Sequence, residues 1–213
     1  MIPRMDQVSE DLKVPILVKL TPGSQQSLRP GIGYGTNTGG RVSLNYQNTQ
    51  VMARPDVYTF DLILAEKAQS LTSRYTIPQK GHWENKLIGT FSIVYEDISA
   101  YDTQIVYTEL EQVYGLATGK TGALFLRYSR EDSDIGTDDN ISHLLTPGIR
   151  YYQRTYDDPL HPKAGYQLRL EVRGSHSNFL SDMTLGQVLG AGSFMWPVSR
   201  HFTLHTRVEA ATT

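Results

Sequence analysis

Tyr166-Gln167-Leu168-Arg169-Leu170-Glu171-Val172-Arg173 is the stretch on which the fold turns. Tyr166, Leu168, Leu170 and Val172 occupy every second position, with Gln167, Arg169, Glu171 and Arg173 between them. A period of two sends the two sets to opposite faces of an extended strand, whereas a helix would repeat every 3.6 residues. Outward from here the same period recurs. Downstream, Phe202, Leu204, Thr206 and Val208 alternate with Thr203, His205, Arg207 and Glu209. Upstream, Leu145, Pro147, Ile149 and Tyr151 oppose Thr146, Gly148, Arg150 and Tyr152. Earlier still, Leu87, Gly89, Phe91, Ile93 and Tyr95 face away from Thr90, Ser92 and Glu96. Tyr58, Phe60, Leu62 and Leu64 do the same, as do Val42, Leu44 and Tyr46, and Leu28, Pro30, Ile32 and Tyr34. Residues 67–77, 102–114, 119–130 and 184–196 read as strands with noisier alternation.

Turn residues separate these runs at Asn37 to Gly40, Arg54-Pro55-Asp56, Pro78 to Gly81, Ser99 to Asp102, Thr118-Gly119-Lys120 and Asp157-Asp158-Pro159. The acidic stretch Glu131 to Ser142 is too long for a tight turn and is expected to be an exposed loop. Helical spacing is confined to a possible short turn at Met5 to Leu12, ended by Pro15. The expected order is a leading strand over residues 14–21 and about eleven sequential strands without intervening helices, an all-β antiparallel meander.

Two β architectures fit this pattern. A soluble sandwich or ligand-binding barrel turns its apolar face inward; a membrane barrel turns it outward around a wet lumen. The polar face carries full charges at Arg29, Arg41, Asp61, Arg74, Glu96, Arg150, Arg154, Arg169, Glu171, Arg173, Arg207 and Glu209. Either architecture accommodates them. Strand length favours the membrane: residues 143–156 and 164–174 approach the ~10 residues of a tilted bilayer-spanning strand, longer than the soluble average of about five or six.

Composition narrows the functions. Of 213 residues, 20 are basic and 22 acidic, giving a net charge of −2 with no basic block, which argues against a nucleic-acid protein. The apolar share of 39% suits a chain that buries surface. No apolar run reaches the ~18 residues of a transmembrane helix, and Met1 to Lys13 lacks the apolar core of a signal peptide. With no cysteine, disulfides, thiolate metal sites and cysteine nucleophiles are excluded. Thirteen tyrosines, with their apolar bodies and wet tips, suit strands crossing a polar boundary.

The chemical motifs dissolve on inspection. Gly115 to Thr121 has three residues between its glycines where a phosphate loop needs four, and it leads into a strand; a strand-connecting turn is the reading. Asp132, Asp134, Asp138 and Asp139 lack calcium-loop spacing and its terminal glutamate, so the stretch reads as solvated. Of six scattered histidines, His201 and His205 are the close pair, yet four strand residues hold them over about 13 Å apart. No nucleophile elbow occurs. Neither an enzyme, a cofactor nor a metal site is expected.

Val14-Pro15-Ile16-Leu17-Val18-Lys19-Leu20-Thr21-Pro22-Gly23, followed by Leu28-Arg29-Pro30-Gly31-Ile32-Gly33-Tyr34-Gly35-Thr36-Asn37-Thr38-Gly39-Gly40-Arg41-Val42, resembles a known junction. It is similar to the passage from the last POTRA domain into the first barrel strand in the BamA/TamA superfamily of outer-membrane assembly proteins. Leu144 to Tyr151 and the entry Pro162-Lys163-Ala164-Gly165-Tyr166 look like later strands of its TamA-like members. The resemblance implies the end of a POTRA domain and a linker over residues 1–24, and a partial up-and-down transmembrane barrel over residues 25–213. It implies a Gram-negative outer-membrane location, contact with outer-membrane lipid, a TamB-like periplasmic partner and autotransporter or other β-barrel clients. A two-partner-type or patatin-like secretion translocator is a neighbouring possibility, a passive pore or a soluble domain binding an apolar ligand a remoter one.

In that family the first strand pairs weakly with the last and admits client strands there. The resemblance therefore puts the seam at Leu28, Gly31, Ile32, Gly33, Tyr34 and Gly35, and lumen charges at Arg29, Arg41, Arg150, Arg169, Glu171 and Arg173. The family's barrels have roughly sixteen strands, an even number as is usual. About eleven are expected here, with the inward loop and closing strand falling beyond Thr213. Val172-Arg173-Gly174-Ser175 imitates the tip of that loop but lacks its aromatic residue and closes a strand.

Overall fold

The computed structural model describes residues 2–3, 16–17, 23–36, 39–98, 101–135, 138–158, 160, 162–178, 180–199 and 202–213. Two short strands, β1 (Ile2–Pro3) and β2 (Ile16–Leu17), pair antiparallel near the N-terminus. The expected leading strand is thus described only at Ile16 and Leu17, and the helical turn expected at Met5 to Leu12 lies outside the described residues.

Eleven strands follow among the described residues: β3 (Gln26–Gly35), β4 (Gly39–Asn48), β5 (Val57–Ala65), β6 (Ala68–Pro78), β7 (Lys86–Ile98), β8 (Tyr101–Ala117), β9 (Lys120–Ile135), β10 (Asp138–Tyr156), β11 (Gly165–Ser175), β12 (Leu185–Ser199) and β13 (Phe202–Thr212). Each pairs antiparallel with its sequence neighbour, giving one sheet in the order β3 through β13. The all-β meander read from the alternation is the observed fold. Among the described residues no helix is long and apolar enough to cross a membrane, which says nothing of crossing by strands.

One expectation is corrected. Residues 131–135 and 138–142 do not loop out: β9 and β10 stay in register up to the rung Asp138↔Ile135. Acidic composition does not prevent pairing: the backbone of β9 is laddered on both sides here, to β10 and, from Glu131 to Asp134, to β8. This makes β10 the longest strand, with 19 residues against 10 for β3.

The registers show which residues share a face. Arg150 stands opposite Glu171 in β11 and Ala123 in β9, and Arg127 opposite Glu109 in β8. Carried strand to strand, this puts every charged position of the alternating pattern, from Arg29 to Glu209, on one side of the sheet. The other side carries Leu62, Leu71, Ile93, Leu110, Leu124, Leu126, Ile149, Leu168, Leu170 and Val172. Exposure is inverted relative to a soluble protein: Leu170 and Val172 are 41% and 45% exposed, whereas Glu171 between them is 6% exposed. A soluble barrel would bury the leucine side. Here the charged side is the sheltered, concave one and the apolar side faces out.

Aromatic rings border the outer apolar band. Tyr46, Tyr58, Tyr75, Tyr114, Tyr166, Phe194 and Trp196 lie towards the strand ends nearest the turns at 49–56, 79–85, 118–119 and 157–164. Tyr46 packs against Tyr58 with ring centroids 6.3 Å apart, and Phe194 stacks on Trp196 at 5.7 Å. Tyr34 and Tyr95 lie towards the opposite ends. Apolar centres between aromatic girdles are what the two interfaces of a bilayer select.

Pro147 inside β10 looks misplaced, because proline cannot donate to a ladder. The Asp157 N–H donates to the Ala164 carbonyl at 3.1 Å, so odd-numbered residues of β10 turn their backbone groups towards β11. Pairing with β11 ends at Gly148↔Arg173, one residue before the proline, so its missing N–H falls where no rung exists. Beyond it the segment after β11 takes over. The Leu145 N–H donates to Ser181 Oγ at 2.8 Å, and the His143 N–H donates to the Asp182 carboxylate at 2.6 Å.

Candidate functional site

Two features on this sheet could carry function: a charged inner wall and a glycine-rich first strand. The inner wall is built by β8 to β11. Arg150 on β10 reaches over β9 to β8: its Nη1 donates to Glu109 Oε1 (2.9 Å) and Glu111 Oε1 (2.8 Å), and its Nη2 to Glu109 Oε2 (2.9 Å). Its Nε turns the other way and donates to Glu171 Oε2 on β11 at 2.9 Å. Ala123, small and buried, is the residue of β9 directly opposite Arg150 and leaves room for this crossing. The guanidinium carbon lies 3.8 Å from the centre of the Phe125 ring, adding a cation–π contact.

Further cations complete the network. Arg127 pairs with Glu109 at 2.7 Å and lies over the Tyr107 ring at 4.8 Å. Arg169 and Arg173 each approach Glu171 at 3.3 Å, and Arg173 Nε donates to Gln187 Oε1 at 2.7 Å. Three carboxylates and four guanidinium groups thus tie four strands together across the concave face. A recess of about 650 Å³ lies beside them, lined among others by Arg74, Lys86, Tyr107, Glu109, Arg150 and Tyr152. Cations and hydroxyls dominate its wall, so it is a wet interior and no apolar ligand cavity.

Of the lumen charges read from the sequence, Arg150, Arg169, Glu171 and Arg173 come together here. Arg29 and Arg41 share the face but stand far round the sheet, on β3 and β4. Glu109, Glu111 and Arg127 were missed. Their signal was present as charges at alternate positions of β8 and β9, but apolar Ile105, Val113 and Phe125 share that inner face and blur the period.

The seam residues all fall on β3, which among the described residues stands at one edge of the sheet and pairs with β4. Leu28, Ile32 and Tyr34 point outward and are 61%, 92% and 78% exposed. Gly31, Gly33 and Gly35 are on the inner face. A Cβ at Gly31 would meet Ser43 Oγ at 2.6 Å, and one at Gly33 would meet Arg41 Nε at 2.9 Å. The glycines therefore let the side chains of β4 lie across the first strand. As for the discarded motifs, residues 115–121 form the β8–β9 hairpin, with Gly119 at φ +72°, and lead into strand as expected. His201 lies outside the described residues.

An antiparallel meander with an apolar exterior, aromatic borders and a charged concave interior defines a panel of an outer-membrane-type β-barrel. The structure is similar to the crystal structure of BamA from Haemophilus ducreyi lacking POTRA domains 1–3, with a TM-score of 0.75 at 14% sequence identity. The match covers 89% of this chain and 41% of the BamA chain, so the sequence spans less than half the length of that protein. The chain has a BamA-like β-barrel fold over the matched region. No family model matches the sequence.

Proposed function

We propose that this chain is the N-terminal and central part of an outer-membrane barrel that assembles or translocates other outer-membrane proteins, with β3 serving as the template strand. The observation that carries the reading is the run of three glycines, Gly31, Gly33 and Gly35, in the first strand of a sheet of this fold. Glycine loses more backbone entropy on ordering than other residues and offers no side chain to pack, so the edge pairs weakly. A weak edge opens at small cost, and its exposed donors and acceptors can capture an incoming strand by β-augmentation. Short strands beside it, 9 to 11 residues in β3 to β6, also favour a locally thinned bilayer. The process needs no ATP and no covalent chemistry.

The TamA-like resemblance of residues 14–42 supports autotransporters or other β-barrel proteins as clients and a TamB-like periplasmic partner. It also supports residues 1–24 as the end of a POTRA domain with its linker. Replacing Gly31, Gly33 and Gly35 together by valine in the full-length protein is the test. It is expected to stiffen β3 and slow assembly of an autotransporter client, with barrel abundance unchanged. Assembly at the wild-type rate would overturn the template role.

A further inference from the structure

The backbone of β3 is not uniformly available to a partner. The Thr49 N–H donates to the Gln25 carbonyl at 2.8 Å, one rung below the pair Gln26↔Asn48. In an antiparallel ladder, alternate residues turn both backbone groups to the same neighbour. Ser27, Arg29, Gly31, Gly33 and Gly35 are therefore spent on β4, and Gln26, Leu28, Pro30, Ile32 and Tyr34 face the free edge. An independent rung agrees: the Asp97 N–H bonds the Lys67 carbonyl at 2.8 Å, and its phase carried back through β6, β5 and β4 gives the same assignment. Pro30 costs nothing against β4, where its N–H would not be used. On the free edge it removes the central donor.

We propose that Pro30 sets the register and the length of the ladder that β3 offers: an antiparallel client strand pairs at Ile32 and Tyr34 and stops opposite Pro30. This rests on the template role proposed above and specifies how that edge selects its partner. The occupant is a strand of a membrane β-barrel with alternate apolar side chains, because the edge-facing residues Leu28, Ile32 and Tyr34 all point to the outer face, where a continuing strand must match them. Continued past Pro30, such a strand would aim a carbonyl at a ring with no donor. That point lies within the apolar band, where no water can substitute. The Ile32 and Tyr34 rungs lie in the glycine-flanked part of β3 and have the most exposed side chains of the edge. Pairing confined to them is short and therefore reversible, which suits a strand that must later be released.

The chain has no cysteine of its own, so disulfide trapping reads the register directly. Leu28→Cys, Ile32→Cys and Tyr34→Cys are made singly in the full-length protein in bilayers. The probe is an autotransporter barrel with single cysteines walked along its edge strands. Ile32→Cys and Tyr34→Cys are expected to trap client positions two residues apart in one antiparallel register, with Leu28→Cys weaker by about tenfold. Adding Pro30→Ala, which restores the donor, is expected to bring Leu28→Cys to a comparable yield in that register. Strong trapping by Leu28→Cys with Pro30 in place, or no change on Pro30→Ala, overturns the register role. No client trapped at any of the three positions, while the client still assembles, overturns the template reading itself.

Discussion

Arg150 shows what one residue must satisfy inside such a wall. A guanidinium presents planar donors in fixed directions, and here three carboxylates and a ring meet them from neighbouring strands. Removing it leaves Glu109 and Glu171, both about nine-tenths shielded, with much of their compensation gone. Arg150→Ala is expected to lower the unfolding free energy of the full-length barrel by about 3 kcal/mol, the lower end of the cost of breaking a shielded pair because the lumen is wet. The control is Arg207→Ala, which removes an exposed pairing with Glu209 and should change stability by no more than about 0.5 kcal/mol. Urea unfolding of both variants in detergent checks the contrast; equal effects would remove the network's claim to hold the wall together.

Asp157, in the turn between β10 and β11, acts by different physics. Its Oδ1 accepts the N–H groups of Ala164 (3.0 Å) and Lys163 (2.9 Å), and these bonds hold its carboxyl below the ordinary 3.8, Ala164 contributing most. A depressed pKa means the turn is stabilised above pH 3.8 and loses that stabilisation as pH falls through the lower folded value. The amide resonances of Lys163 and Ala164 should titrate together with a midpoint below 3.8. A midpoint at or above it would mean the bonds do not form in solution.

At the scale of the element, the strands were legible because each carries its own alternation and needs no distant partner to be read. Tyr166 to Arg173 is the plainest case. The acidic tip of β9 and β10 was not legible, since a paired hairpin in water and a loose loop have the same composition; only the rungs from Glu131↔Ser142 to Ile135↔Asp138 tell them apart. The network was half legible for a related reason. Alternation assigns Arg150 and Glu171 to one face, but that Arg150 reaches across Ala123 to Glu109 depends on the concavity of the sheet, which no single strand encodes. Pro30 and Pro147 carry the same lesson: a proline in a strand reads as a defect until the hydrogen-bonding phase shows which neighbour lacks the donor.

For residues 1–213 taken as one body, the decisive feature is that the described sheet is open. β3 and β13 each leave one row of backbone donors and acceptors without a partner in the described sheet. In hydrocarbon every such group costs several kcal/mol, so an open eleven-strand sheet cannot stand in a bilayer alone. Residues 1–213 expressed by themselves are therefore expected not to refold as a compact monomeric barrel. Heat-modifiable migration of the isolated chain on a gel, as one folded monomer, would contradict this.

The unequal strand lengths shape the mouth. From 10 residues in β3 the wall climbs to 19 in β10, on the order of 30 Å more along the strand direction, and the registers place the added length at the end where β10 turns towards β11. On that side the edge of the sheet slopes from a crest at the Tyr156 end of β10 down to a low sill at β3.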